Sequence, residues 1–111
     1  MGQAKDISVS DAAAKVAAED VQLVDVRTNE EWAGARLAGA KHIELAELSS
    51  RAGELDQDRP VLFYCYSGVR SQMAADAFAA SGFDAYNVAG GIQAWVDAGQ
   101  PVEPDSAEIV H

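Results

Sequence analysis

Residues Val61 to Cys65 read Val-Leu-Phe-Tyr-Cys, a run with almost no polar alternation. A strand exposed on one face alternates polar and apolar side chains, so this run predicts a strand buried on both faces. A short loop follows at once, and a helical pattern then covers Arg70–Ala80, with Met73, Ala74, Ala77 and Phe78 on one face and Gly82 as the stop. A doubly buried strand that feeds directly into a helix requires helices on both sides of a sheet. No other feature of the chain limits the fold so tightly.

The remaining segments repeat the alternation. Ile7–Val9 reads as a short strand, and Ser10 as the cap of a helix over Asp11–Ala18. Val21–Val26 reads as a strand. Asn29 caps a short helix with Glu30 and Glu31 in its first turn, where carboxylates suit the helix dipole. Gly34–Ala40 is a loop, Lys41–Leu45 a short strand, and Glu47–Leu55 a helix interrupted at Gly53. Ala85–Gly90 contains a further strand. Gly91–Ala98 is a last helix with Ile92 and Trp95 facing inward, and from Gly99 onward the chain turns and loosens. Strand–helix units in succession argue for an α/β fold with a parallel sheet covered on both faces. The 111 residues suit a single domain, taken as residues 1–111 with a core over about 6–103 and a loose tail over 104–111.

Charge and cysteine content exclude several functions. Eight Lys and Arg stand against eighteen Asp and Glu, a formal net charge of -10. Such a surface repels nucleic acid and anionic membranes, so neither is expected as a partner. No segment approaches membrane-spanning length, and the first residues carry no signal-like apolar stretch. The single cysteine forms no internal disulfide and no Cys-rich zinc site, so no metal is expected. The compartment expected from these features is a reducing cytoplasm.

Cys65 sits at the carboxyl end of the most apolar strand, where open α/β sheets bind ligands. A thiol closing an apolar run is by itself an inert buried group. The residues after it change that reading. Tyr66, Ser67, Gly68, Val69, Arg70 and Ser71 lead straight into a helix, so several backbone N–H groups turn inward and form an anion-binding cup. The same field favours a thiolate over a thiol, which suits Cys65 as a nucleophile. His42 is placed near a strand end and is not needed as a base. Trp32 and Trp95 are read as packing residues, and Tyr66 as a candidate for substrate contact.

Four segments, in order, carry a resemblance. VDVRTNEEW (Val24–Trp32), GARLAGAKHI (Gly34–Ile43), FYCYSGVRS (Phe63–Ser71) and VAGGIQAWVDAGQPVE (Val88–Glu103) resemble the signature segments of single-domain rhodaneses, in the rhodanese-like sulfurtransferase family. The resemblance implies a five-stranded, mostly parallel sheet with helices on both faces. It implies that Cys65 takes a sulfane sulfur from thiosulfate or a persulfide, carries it as a persulfide, and passes it to cyanide or a thiol. It also implies that the amides of Tyr66 to Ser71 cradle the donor, and that Arg70 closes the cup or pairs with a loop carbonyl. Asp25 and Arg27 would form a structural pair nearby. No cofactor is implied.

Two alternatives are weighed against this. Cysteine-dependent phosphatases resemble the loop but place five residues between Cys and Arg, where this chain has four; it also lacks a recognisable general-acid loop. Tyr66 and Val69 are uncharged, which leaves Arg70 as the loop's one cation and disfavours dianionic thiosulfate. A relay module that receives a persulfide from one protein and hands it to another is therefore the stronger alternative.

Overall fold

The structure, a computed structural model, describes residues 4–104. The tail assigned to 104–111 lies outside these residues except for Pro104, as does His111.

Five parallel strands form the central sheet, in the order β1-β6-β5-β2-β4. They are β1 (Lys5–Ile7), β2 (Gln22–Asp25), β4 (Lys41–His42), β5 (Val61–Tyr64) and β6 (Ala85–Val88). All four residues of the central β5 are fully buried. Their side chains alternate between faces. Val61, Phe63 and Cys65 join one core cluster, beneath α3 (Val69–Ala80) and two 3-10 turns. Leu62 and Tyr64 join the other, beneath α1 (Val9–Ala17) and α4 (Gly91–Asp97). Burying each such apolar side chain contributes about 1.5–3 kcal/mol. The sheet is thus the α/β layer that the apolar run demanded.

Local boundaries differ from the sequence reading in instructive ways. β1 ends at Ile7 and α1 starts at Val9. The cap is Ser8, whose hydroxyl accepts the Asp11 N–H at 3.1 Å, and Ser10 lies inside the first turn. The pairing of Ile7 with Val88 fixes where the strand stops. The short helix α2 (Asn29–Gly34) is capped by Thr28, not Asn29. Thr28 and Glu31 form a reciprocal capping box, which satisfies two helix-end donors at once. Only Lys41–His42 of the expected strand pair with the sheet. Glu47–Leu55 is two separate 3-10 turns, Leu45–Glu47 and Ala52–Glu54, with Gly53 inside the second.

Two corrections concern faces and pairings. Along α3 the buried residues are Ser71, Ala74, Ala75 and Phe78, whereas Met73 and Ala77 face outward. The segment read as the Gly34–Ala40 loop contains β3 (Arg36–Leu37). It pairs antiparallel with β7 (Val102–Glu103), at the end of the stretch read as the core and beyond the last helix, where no strand was expected.

Candidate active site

Cys65 follows β5 directly, and its side chain is almost fully buried at 1% exposure. Gly68 caps α3 with φ of +102°, in the left-handed region that glycine adopts without a steric penalty. That turn folds the loop back over the thiol. The Gly68 N–H donates to Cys65 Sγ at 3.1 Å, the Ser71 N–H lies at 3.5 Å, and the Ser71 hydroxyl at 3.3 Å. Burial pushes the thiol pKa up. The Ser71 hydroxyl, the Ser71 and Gly68 amides and the Ser67 amide together outweigh it, so the net shift is downward. The geometry therefore favours the thiolate, in a water-poor setting where each hydrogen bond is strong.

The carbonyl side of the loop is held as firmly as the amide side. Cys65 C=O accepts the Ile92 N–H at 2.9 Å, and Tyr66 C=O accepts the Gln93 N–H at 3.1 Å. These are free amides of the first turn of α4, which thereby finds partners in the active loop. Tyr66 is half-buried against the apolar cluster that contains Ile92 and Trp95. Val69 and Met73 are the exposed large hydrophobic residues of the rim, at 69% and 61%. An open cleft of about 440 Å³, lined by Ser67, Gly68, Val69, Gln72, Asn87 and Gly90, lies against the loop.

Arg70 goes to a partner not foreseen in the sequence. Its guanidinium makes two bonds to the Glu31 carboxylate, at 2.7 and 2.9 Å, and none to a loop carbonyl among the described residues. The Arg70 pair, helped by the Thr28 cap, holds the Glu31 carboxyl at about 2, well below the ordinary carboxylate range. Glu31 in turn raises the Arg70 pKa. The loop's one cation is thus already matched by a largely buried anion.

Asp25 and Arg27 end β2 beside this loop, both fully buried. Arg27 Nε reaches Asp25 Oδ1 at 3.0 Å, Nη2 reaches Oδ2 at 2.7 Å, and Nη2 also donates to Ala35 C=O at 2.6 Å. The guanidinium lies 5.6 Å from the Tyr64 ring centroid. His42 stacks on Trp32 at 4.9 Å, and its Nε2 bonds the Arg27 carbonyl at 2.7 Å. That places both rings in the support of the β2 end.

Two site residues escaped the sequence reading. Glu31 was visible as a first-turn carboxylate but not as the Arg70 partner. Asn87, a buried polar residue in β6, accepts from the Ser71 hydroxyl at 2.5 Å. A polar residue amid Ala85, Tyr86 and Val88 was the available signal.

Known proteins share this fold. The model of the rhodanese-like domain matches residues 8–98. The thiosulfate sulfurtransferase GlpE of Shewanella oneidensis is 34% identical over 99 residues, 88% of this chain and 98% of that protein. The protein of the same name from Coxiella burnetii is 34% identical over 92 residues, 82% of this chain and 86% of its own length. Among solved structures, the rhodanese-related protein of Thermoplasma volcanium superposes with a TM-score of 0.83 at 28% identity, covering 88% of this chain and 96% of that one.

Proposed function

The chain belongs to the rhodanese-like family, and from that premise we propose that it is a sulfurtransferase that carries sulfane sulfur on Cys65. The thiolate attacks the outer sulfur of a donor. The sulfur–sulfur bond of the donor breaks, its electron pair leaves with sulfite or a thiolate, and Cys65 holds a persulfide anion. A thiophilic acceptor, cyanide or a thiolate, then attacks the outer sulfur and releases the Cys65 thiolate. The observation that carries this reading is the donor set aimed at one buried sulfur: two amides and a hydroxyl within 3.5 Å of Sγ. Such a set stabilises negative charge on Sγ and on a sulfur bound to it.

Incubation with thiosulfate or glutathione persulfide adds about 32 Da to the wild-type chain, one sulfur on the thiol. The adduct maps to Cys65 and is absent from Cys65→Ser. A folded wild-type protein that gains no mass from any sulfane donor contradicts the proposal.

The Arg70–Glu31 pair supports a donor of low charge, such as a small-molecule or protein persulfide, over dianionic thiosulfate. With its cation matched, the loop offers the dianion amides but no open positive charge. Transfer to or from a second protein in a sulfur relay is the reading this favours within the same chemistry. Glu31→Gln removes the countercharge and frees Arg70 towards the loop. The KM for thiosulfate is expected to fall several-fold, while that for glutathione persulfide changes less; an unchanged thiosulfate KM refutes the role of the pair. The same variant reports on acid stability. A carboxyl depressed to about 2 in the fold stabilises it above the ordinary carboxylate pKa and loses that contribution as pH falls towards 2. Because Arg70 is partly open to solvent, the contribution is discounted to about 1–2 kcal/mol. Urea titrations between about pH 5 and pH 2 should show a shallower acid limb in Glu31→Gln.

A further inference from the structure

The Ser71 hydroxyl has one hydrogen and two acceptors within reach. Cys65 Sγ lies at 3.3 Å and Asn87 Oδ1 at 2.5 Å. Which acceptor takes the hydrogen is decided by the groups behind Asn87. Asn87 Nδ2 donates to Asp6 Oδ1 at 3.2 Å and to Gln72 Oε1 at 3.1 Å. Gln72 Nε2 donates to Asp76 Oδ1 at 2.9 Å, which also takes the Ala4 N–H at 2.9 Å. Ionised carboxylates only accept. Asp76 therefore fixes the sense of the Gln72 amide, and Gln72 with Asp6 fixes that of Asn87. Oδ1 of Asn87 must face Ser71, and the hydroxyl hydrogen lies on the Asn87 side.

This arrangement leaves the loop amides to stabilise a thiolate but holds back the hydroxyl, the further donor within reach of Sγ. With Cys65 protonated, S–H donates to Ser71 Oγ and the hydroxyl donates on to Asn87. Once the thiol has lost its proton to solvent, Sγ calls for donors. The hydroxyl can then serve it only by leaving Oδ1, which is buried at a residue 4% exposed. An abandoned buried acceptor is costly.

We propose that Asn87 is a positioning residue that competes with Cys65 Sγ for the single hydrogen of Ser71. It thereby sets how readily the thiolate forms and how tightly it is held. The competition has a use in sulfur transfer, because a thiolate loses nucleophilicity as its pKa falls. The loop amides provide the fixed stabilisation, and the hydroxyl is held back until charge on sulfur draws it. The inference concerns the same site as the proposed sulfurtransferase reaction, but it does not need a sulfur donor for its test.

The charged groups around this chain come from four elements. Asp6 is on β1; Asp76 and Arg70 are on α3; Glu31 is on α2, paired with Arg70; Asp25 and Arg27 close β2. All are retained in every variant below, so their fields cancel in the comparison.

Alkylation by iodoacetamide against pH reads the midpoint of the one cysteine directly. Asn87→Ala is expected to lower that midpoint by roughly one pH unit, the scale of one hydrogen bond to a charged group. Asn87→Leu, close in size but without polar atoms, should do the same if the smaller side chain compromises folding. Ser71→Ala should raise the midpoint. In the Ser71→Ala background, Asn87→Ala should have no further effect, since the hydrogen it contests is gone. An unchanged midpoint in the folded Asn87 variants overturns the proposal. So does an equal shift with and without Ser71, which would make Asn87 an ordinary packing residue.

Discussion

Asp25→Ala is expected to destabilise the protein by about 3–5 kcal/mol, the cost of leaving one member of a buried ion pair uncompensated. Arg27 shows why the cost falls at the high end. Its guanidinium is fully buried, and of its hydrogen bonds only the one to Ala35 C=O would survive loss of the carboxylate. Nη1 is already the one buried side-chain nitrogen or oxygen without a partner among the described residues. Asp25 also accepts the Arg27 backbone N–H at 2.8 Å, so the same change frees a buried amide. In the wild type burial works against the charge of Arg27 and the Asp25 pair outweighs it. With Asp25 gone the guanidinium still keeps its proton, because arginine does not deprotonate in proteins, and so it cannot escape the penalty. Urea denaturation measures the loss. A cost below about 1 kcal/mol would mean that water replaces the carboxylate and that the pair does not hold the β2 end. Replacing both members, as Asp25→Leu with Arg27→Met, should recover much of the stability, because an apolar pair of similar volume avoids both desolvation costs. The register gives the change a second consequence. Asp25 pairs with Tyr64, the residue before Cys65, so loosening the β2 end loosens the base of the active loop.

What the sequence revealed of this site follows the range of the interaction. The buried strand, its loop, the cap glycine and the following helix are neighbours in the chain, and each was legible from residues within a few positions. Asp25 and Arg27 could be marked as a pair through the resemblance of Val24–Trp32 to the family's strand end. The partners of Arg70 and Ser71 are 39 and 16 positions away, and no local pattern encodes them. The same holds for β3, whose two residues find β7 near the other end of the described chain. Other misses were local but ambiguous. Ser8 and Ser10 are equally good caps by type, and the strand pairing of Ile7 decides between them. Five alanines in α3 blur its periodicity, so Met73 could be read as inward when it is on the rim. Glu47–Leu55 has helical spacing, but Ser49, Ser50 and Gly53 weaken a helix, and two 3-10 turns lay Leu48 and Leu55 on the sheet instead.

Gly91→Ala is expected to cost the most activity of any single-methyl change in the chain. Gly91 opens α4 at φ of +61°, where a side chain is strained in any surroundings. Its surroundings are worse than open: a Cβ there would overlap the carbonyl oxygens of Cys65 and Tyr66. Neither can swing aside as a side-chain tip would. Both are backbone of the active loop, and both accept amides from the residues just after Gly91. The added methyl must push the loop off α4, and the Cys65 carbonyl carries the thiol with it. Sγ then moves relative to the Gly68 and Ser71 amides that favour its charge. A displacement near 1 Å at a reacting atom costs on the order of 100-fold in rate. Persulfide formation should therefore slow by about that factor, and the pH midpoint of Cys65 alkylation should rise as the amides are lost. Two other glycines separate this effect from general damage. Gly53→Ala adds a methyl with nothing within 4 Å and should leave both readouts unchanged. Gly90→Ala strains its own turn, with a Cβ 2.5 Å from that of Ala94 inside α4, and should lower stability more than it alters the thiol. If Gly91→Ala and Gly90→Ala lose stability equally and neither shifts the thiol midpoint, α4 is a packing element, and the loop holds its shape without it.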